Sequence, residues 1–211
     1  MKSIKIALTS MFLILSSYAS AVEISSNVGL SSDYIWRGMT QTEGDIAVNG
    51  GFDLSTDMGF YIGTWASNAK YGTATMELDI YLGFSGEMAE NMTYDVGYIS
   101  VIYPGYDAGD FEEAYVAFNI YGLNILYSDG QDNSPSYSEI GYSVDAGPGS
   151  FNISYGEYED TGDNTLVGYD WGVGDFSLGF YYYDFEVNKN NTQGADDDGA
   201  YVSLSLSLIH I

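Results

Sequence analysis

Glu77 and Asp79 stand two residues apart in a stretch where Met76, Leu78, Ile80, Leu82 and Phe84 fill the alternate positions. Two carboxylates at i and i+2 share one face of a strand, a spacing that suits acid–base chemistry and equally suits a wet wall. The partners that nucleophilic catalysis needs are missing. His210 is the only histidine and there is no cysteine, so a Ser–His site and a Cys/His zinc site lack their residues. The sequence therefore predicts neither an enzyme nor a protein with a cofactor or a metal centre. The wall reading gathers more residues. Asp33, Asp45, Asp53, Glu77, Asp79, Asp95, Glu139 and Asp145 all fall on the polar phase of an alternating pattern, and only Arg37 opposes them. If that face lines a pathway, rings of carboxylate set a preference for cations. Arg37 is expected to pair with one or more of these acids, fixing the register of the first strand or narrowing the path.

The elements that carry these residues have period 2 throughout. A first strand places Ile24, Val28, Leu30, Tyr34 and Trp36 on one side, against Glu23, Asn27, Asp33 and Arg37. A second opposes Ile46, Val48, Phe52 and Leu54 to Asp45, Asn49 and Asp53. A third runs from Phe60 to Asn68, a fourth from Met76 to Phe84, and a fifth alternates Met92, Tyr94, Val96, Tyr98 and Ile102 with Thr93, Asp95 and Gly97. Further strands begin near Glu112, Gly122, Ser136, Ser150, Thr165, Phe176 and Gly199. The total is about twelve, each near the roughly 9 to 11 tilted residues that cross a bilayer. The predicted fold is all-β: a single antiparallel transmembrane β-barrel, apolar outside and wet inside. Closure pairs every backbone group that lipid could not satisfy.

Connection lengths support the same fold. Short ones are expected at Thr56–Gly59, Gly86–Asn91, Tyr121–Gly122, Ala146–Gly149 and Gly172–Asp175. Longer ones are expected at Gly38–Gly44, Ala69–Thr73, Pro104–Asp110, Ser128–Pro135, Glu159–Asn164 and Glu186–Asp198, which puts both termini on the side of the short turns, the periplasmic side in an outer membrane. Tyrosine numbers 21, a supply suited to interfacial girdles, with Trp36, Phe84, Tyr98, Phe118, Tyr155, Trp171 and Phe176 as candidates. Tyrosine also suits the strands of a soluble sandwich, so aromatics alone do not decide between the two.

Both ends of the chain call for separate treatment. Lys2 and Lys5, the apolar run Ile6–Leu15 and the small residues Ala19-Ser20-Ala21 read as a signal peptide over residues 1–21, cleaved after Ala21. The barrel is expected over residues 22–205. Bacterial barrels usually end in an aromatic residue, whereas Leu206-Ser207-Leu208-Ile209-His210-Ile211 is what CTG TCT CTT ATA CAC ATC encodes, a transposase adaptor used in preparing sequencing libraries. Residues 206–211 are therefore expected to be read-through that replaces the true strand end.

Without residues 1–21, three basic residues remain against 30 acidic ones, a formal net charge of −27. Nucleic acid is a poor partner for such a chain, while cations concentrate near it. Acidic clusters at Asp129–Asp132, Glu157–Asp163 and Asp196–Asp198 fall in expected outer loops, where they are solvated or bind divalent cations weakly and bridge to lipopolysaccharide.

Ser26-Asn27-Val28, Ser32-Asp33-Tyr34-Ile35-Trp36-Arg37-Gly38 with Gln41-Thr42, Gly59-Phe60-Tyr61-Ile62-Gly63-Thr64-Trp65-Ala66-Ser67-Asn68, Glu77-Leu78-Asp79 and Tyr103-Pro104-Gly105 occur in that order. Together they resemble the TorF-type porin family of Gram-negative bacteria. The resemblance implies an outer-membrane barrel with a transport role, set among lipid and lipopolysaccharide, and brings no defined solute. Three readings stand on the sequence: a channel for small cations or small polar solutes, a non-conducting structural or adhesive barrel, and a soluble sandwich.

Overall fold

The computed structural model describes residues 22–131, 134–189, 191 and 195–210. The expected signal peptide lies outside them. Twelve strands form the wall: β1 (Val22–Ser31), β4 (Ala47–Thr56), β5 (Phe60–Tyr71), β6 (Ala74–Ala89), β7 (Met92–Ile102), β8 (Phe111–Ile120), β9 (Leu123–Gly130), β10 (Tyr137–Ala146), β11 (Gly149–Tyr158), β12 (Gly162–Val173), β13 (Phe176–Val187) and β14 (Asp197–His210). Two short strands, β2 (Ile35–Trp36) and β3 (Met39–Thr40), form a separate hairpin between β1 and β4. Every wall strand pairs antiparallel with its sequence neighbour, and β1 closes the ring on β14, from Ile24 opposite His210 to Ser31 opposite Ser203. No edge is left to template further pairing.

The distribution of exposure is the reverse of a soluble protein's. Phe52 is 68% exposed and Ile153 53%, while Glu77 and Glu113 are 2% exposed and Asp79 5%. Alternation explains the split. Ile80, Leu82 and Phe84 point outward, and Asp79, Tyr81 and Gly83 point inward from the same strand. A sandwich would bury the first set and expose the second, so the soluble reading fails on this face assignment.

The inward face is built from tyrosines lying across glycines. A Cβ at Gly63 would strike the ring of Tyr81, one at Gly83 the hydroxyl of Tyr61, and one at Gly168 the ring of Tyr181. The missing side chains leave room for each phenol to lie along the wall and reach a carboxylate on a nearby strand.

Several boundaries differ from the sequence reading. The first strand ends at Ser31, and Tyr34 and Trp36 leave the wall. The connections expected to be long at Ala69–Thr73 and Glu159–Asn164 shrink to residues 72–73 and 159–161, because β5, β6 and β12 run further than their apolar stretches suggest. Segments of greater length remain at 32–46, 103–110, 131–136 and 188–196. They share one end of the barrel, and the turns at 57–59, 90–91, 121–122, 147–148 and 174–175 share the other with the start of β1 and the end of β14. Residues 206–210 continue the β14 ladder. Backbone pairing is open to almost any residue, so the ladder has no bearing on their origin.

Because the glycine–tyrosine fit is steric, Gly83→Val is expected to lower stability by about 1 to 3 kcal/mol. Gly172→Val, where a Cβ meets nothing within 4 Å, is expected to change it by less than about 0.5 kcal/mol. Urea unfolding of refolded protein in lipid vesicles, followed by tryptophan fluorescence, measures both.

Candidate functional site: an acidic lumen crossed by a hairpin

The segment from Ser32 to Ile46 folds into the barrel and does not extend the wall. Asp33 starts the departure. Its Oδ1 accepts hydrogen bonds from the hydroxyls of Thr40 at 2.7 Å and Thr42 at 2.6 Å, and Thr42 Oγ1 accepts the Tyr34 N–H at 3.0 Å. These bonds close a loop around the β2–β3 hairpin. Its tip is Arg37-Gly38, with φ of 49° and 82°, the pair of positive values a tight two-residue hairpin requires. A Cβ at Gly38 would collide with Asn164 of β12, so the tip lies hard against the far side.

Arg37 is thereby carried across the lumen to β8, β10 and β11. Its Nη1 and Nη2 donate to Glu113 Oε1 and Oε2 at 2.7 and 2.6 Å, and Nη1 also donates to Tyr158 Oη at 2.8 Å. The guanidinium carbon lies 4.1 Å from the ring centre of Tyr137 and 4.6 Å from that of Trp36. Glu113 accepts a further bond from Ser128 Oγ at 2.6 Å. Burial works against the Arg37 charge, but the bond to Glu113 and the charges of its partners outweigh it and hold the guanidinium above its ordinary range. Trp36 Nε1 donates to Tyr158 Oη at 3.0 Å, which removes this residue from the lipid face.

The near wall holds the hairpin through Tyr34. Its hydroxyl donates to Glu77 Oε1 at 2.5 Å and its ring lies 5.2 Å from that of Trp65. Tyr103, from the segment after β7, donates to the other oxygen, Oε2. Burial first, then the Glu77 charge, raises both hydroxyls above their ordinary value, so they stay protonated.

Further down, the pattern repeats without the hairpin: Tyr81 donates to Asp53 at 2.5 Å and Tyr61 to Asp95 at 2.6 Å. Tyr137, beneath Arg37, donates to Glu139 at 2.8 Å. Asp170 accepts from Tyr181 and from Asn152. In each case a phenol supplies the hydrogen bond that a lysine or arginine would otherwise give, without bringing a positive charge. Among the described residues Arg37 is the only basic side chain inside the barrel.

Of the residues expected to line the lumen, Asp53, Glu77, Asp79, Asp95, Glu139 and Asp145 lie on the inward phase, Asp145 exposed near the turn end. Three do not line the wall. Asp33 is buried within the hairpin loop, and Arg37 crosses to the opposite side. Asp45 stands on the rim, its side chain 69% exposed and paired with Lys70 at 2.6 Å. The first strand stops at Ser31 and the next wall strand starts only at Ala47, so the period-2 phase no longer places the residues between them. Phe84, Tyr98, Phe118, Tyr155, Trp171 and Phe176 lie on the outward phase.

Glu113 escaped the sequence reading because it sits beside Glu112, and two adjacent acids do not say which faces in. The alternation of Glu113 with Tyr115 and Ala117 was the available signal. Cavities lie on either side of the hairpin. One of about 360 Å³ at the loop end is lined by Met39, Tyr71, Phe111, Glu113 and Tyr158. Another of about 500 Å³ toward the turn end is lined by Glu87, Thr93, Asp95, Asn119 and Asn124.

Twelve antiparallel strands with an apolar exterior and a polar interior define an inside-out β-barrel. The fold is similar to that of the KdgM porin, solved in complex with disordered oligogalacturonate, with a TM-score of 0.61 at 6% identity over 88% of this chain and 99% of that one. A second KdgM porin structure superposes with a TM-score of 0.58 at 7% identity over the same shares. No curated protein sequence matches. The family model for the bacterial proteins of unknown function called Gcw_chp matches residues 16–201, and the chain belongs to that family.

The anchoring leads to two expected outcomes. Arg37→Ala leaves Glu113 buried without its counter-charge, a loss of about 3 to 5 kcal/mol, and is expected to speed amide exchange through residues 33–44. The tyrosine anchors weaken at high pH. Tyr34 and Tyr103 titrate higher folded than their unfolded value of about 10, so their contribution is intact below that pH and declines as pH rises past it. Exchange and proteolysis of the same segment at rising pH measure this.

Proposed function

We propose that this protein is an outer-membrane channel of a Gram-negative bacterium, through which small cations and small polar solutes diffuse. The observation that carries the proposal is the inside-out burial: apolar side chains ring the exterior, and carboxylates bonded to tyrosines line the interior. Lipid is the solvent that suits the first face and water the one that suits the second. Export with cleavage after Ala21 and termini in the periplasm complete the placement. Outward Phe84, Phe118, Trp171 and Phe176 toward the turn end, with Tyr98 and Tyr155 further along, would meet the two interfaces. The resemblance to TorF-type porins and the KdgM-like fold point the same way.

The solute does not carry over from the structural neighbour. Oligogalacturonate is a polyanion, and a wall of uncompensated carboxylates repels it. Twelve strands enclose less than the 16 to 18 of wide aqueous porins, and the β2–β3 hairpin narrows the path further. That hairpin also favours a second reading, a plugged structural or adhesive barrel that does not conduct.

Planar-bilayer recording of refolded protein separates the two. The channel reading expects discrete conductance steps in the wild type, larger and noisier in Arg37→Ala as the hairpin comes free of β8. A heat-modifiable wild type that gives no steps, with conduction only in Arg37→Ala, would support the plug and contradict the channel.

A further inference from the structure

Among the described residues, Asp79 is the one buried carboxylate whose surroundings leave it incomplete. It is 5% exposed, and its Oδ1 is buried with no hydrogen-bond partner. Glu77 lies two residues away on the same face, 2% exposed, with one hydroxyl on each oxygen, from Tyr34 and Tyr103. Arg37, the only basic side chain inside the barrel among the described residues, is held on another wall by Glu113. Two adjacent carboxylates are thus buried with no counter-charge. Protonating Asp79 would remove its charge but would not give Oδ1 a partner.

We propose that Asp79 and Glu77 form a binding site for a hard divalent cation of calcium size. The donors are all oxygen, with no nitrogen or sulfur to favour a transition metal, and two carboxylates match a charge of +2. The Asp79 oxygens and the remaining lone pairs of Glu77 are the ligands, and water fills the other positions. Calcium tolerates the irregular arrangement that a wall and two loop tyrosines impose, whereas magnesium requires a near-octahedral one. Because Tyr34 and Tyr103 bring two separate segments onto Glu77, an ion there ties the hairpin to the near wall. The site stands whether or not the barrel conducts.

Trp65 supplies a local reporter. It lies directly opposite Asp79 in the β5–β6 ladder, on the same face, and packs against Tyr34. Terbium, which replaces calcium at oxygen sites, is titrated into refolded protein in detergent micelles, with tryptophan-sensitised emission read and calcium added in competition. The expected result is saturable emission that calcium displaces, with half-saturation at least about tenfold weaker in Asp79→Asn, since one of two ligating charges is gone. Glu139→Gln, on β10, keeps the emission. Trp65→Phe, which retains both carboxylates, loses it and decides the matter if Asp79→Asn does not refold. No calcium-displaced emission, emission with unchanged half-saturation in Asp79→Asn, or emission that survives Trp65→Phe would place no such ion here and overturn the proposal.

Discussion

A carboxylate taken out of bulk water needs donors, and in this barrel the donors are phenols. Tyr34, Tyr61, Tyr81, Tyr103, Tyr137 and Tyr181 each bond an acid on the inner wall. A hydrogen bond to a charged group contributes about 1.5 to 3 kcal/mol. A lysine or arginine would do as much but would cancel the charge. The tyrosine solution satisfies the acid locally and adds no positive charge to the lumen, and the inner wall is composed to permit it. Glycines at 63, 83 and 168 give up their side chains so that rings can lie flat and reach.

The hairpin uses the same chemistry on one side and the exception to it on the other. Tyr34 binds Glu77 as the wall tyrosines bind their acids, whereas Arg37 forms the only ion pair inside the barrel among the described residues. Its guanidinium is enclosed by Tyr137, Tyr158 and Trp36 and bonded at both nitrogens to Glu113. One cation serves as a strut across an otherwise anionic space, and it is fully engaged in doing so. The other acids of the wall are left to phenols, as Asp53, Asp95 and Asp170 are.

The wall was legible in the sequence because strand period and lipid impose the same alternation. Met76 to Phe84 and Met92 to Ile102 could be assigned residue by residue, and the later strands to within a few positions. The hairpin was not legible. Tyr34 and Trp36 keep the apolar phase of the first strand, so periodicity runs on past the point where the chain turns inward. The break is carried by polar side chains, Asp33 capturing Thr40 and Thr42, and by the tight Arg37-Gly38 tip. Which acid Arg37 would meet was equally hidden, since that depends on how twelve strands close and not on any local spacing.

The measurement that tests the account most directly is the zero-current potential across a bilayer holding many copies of the protein between unequal KCl solutions. The proposed channel, whose acids are met by phenols and not by basic side chains, is expected to pass K⁺ in preference to Cl⁻, giving a potential with the sign of cation selectivity. Conduction with a potential of the opposite sign, or with none, would mean that the lumen does not select for cations.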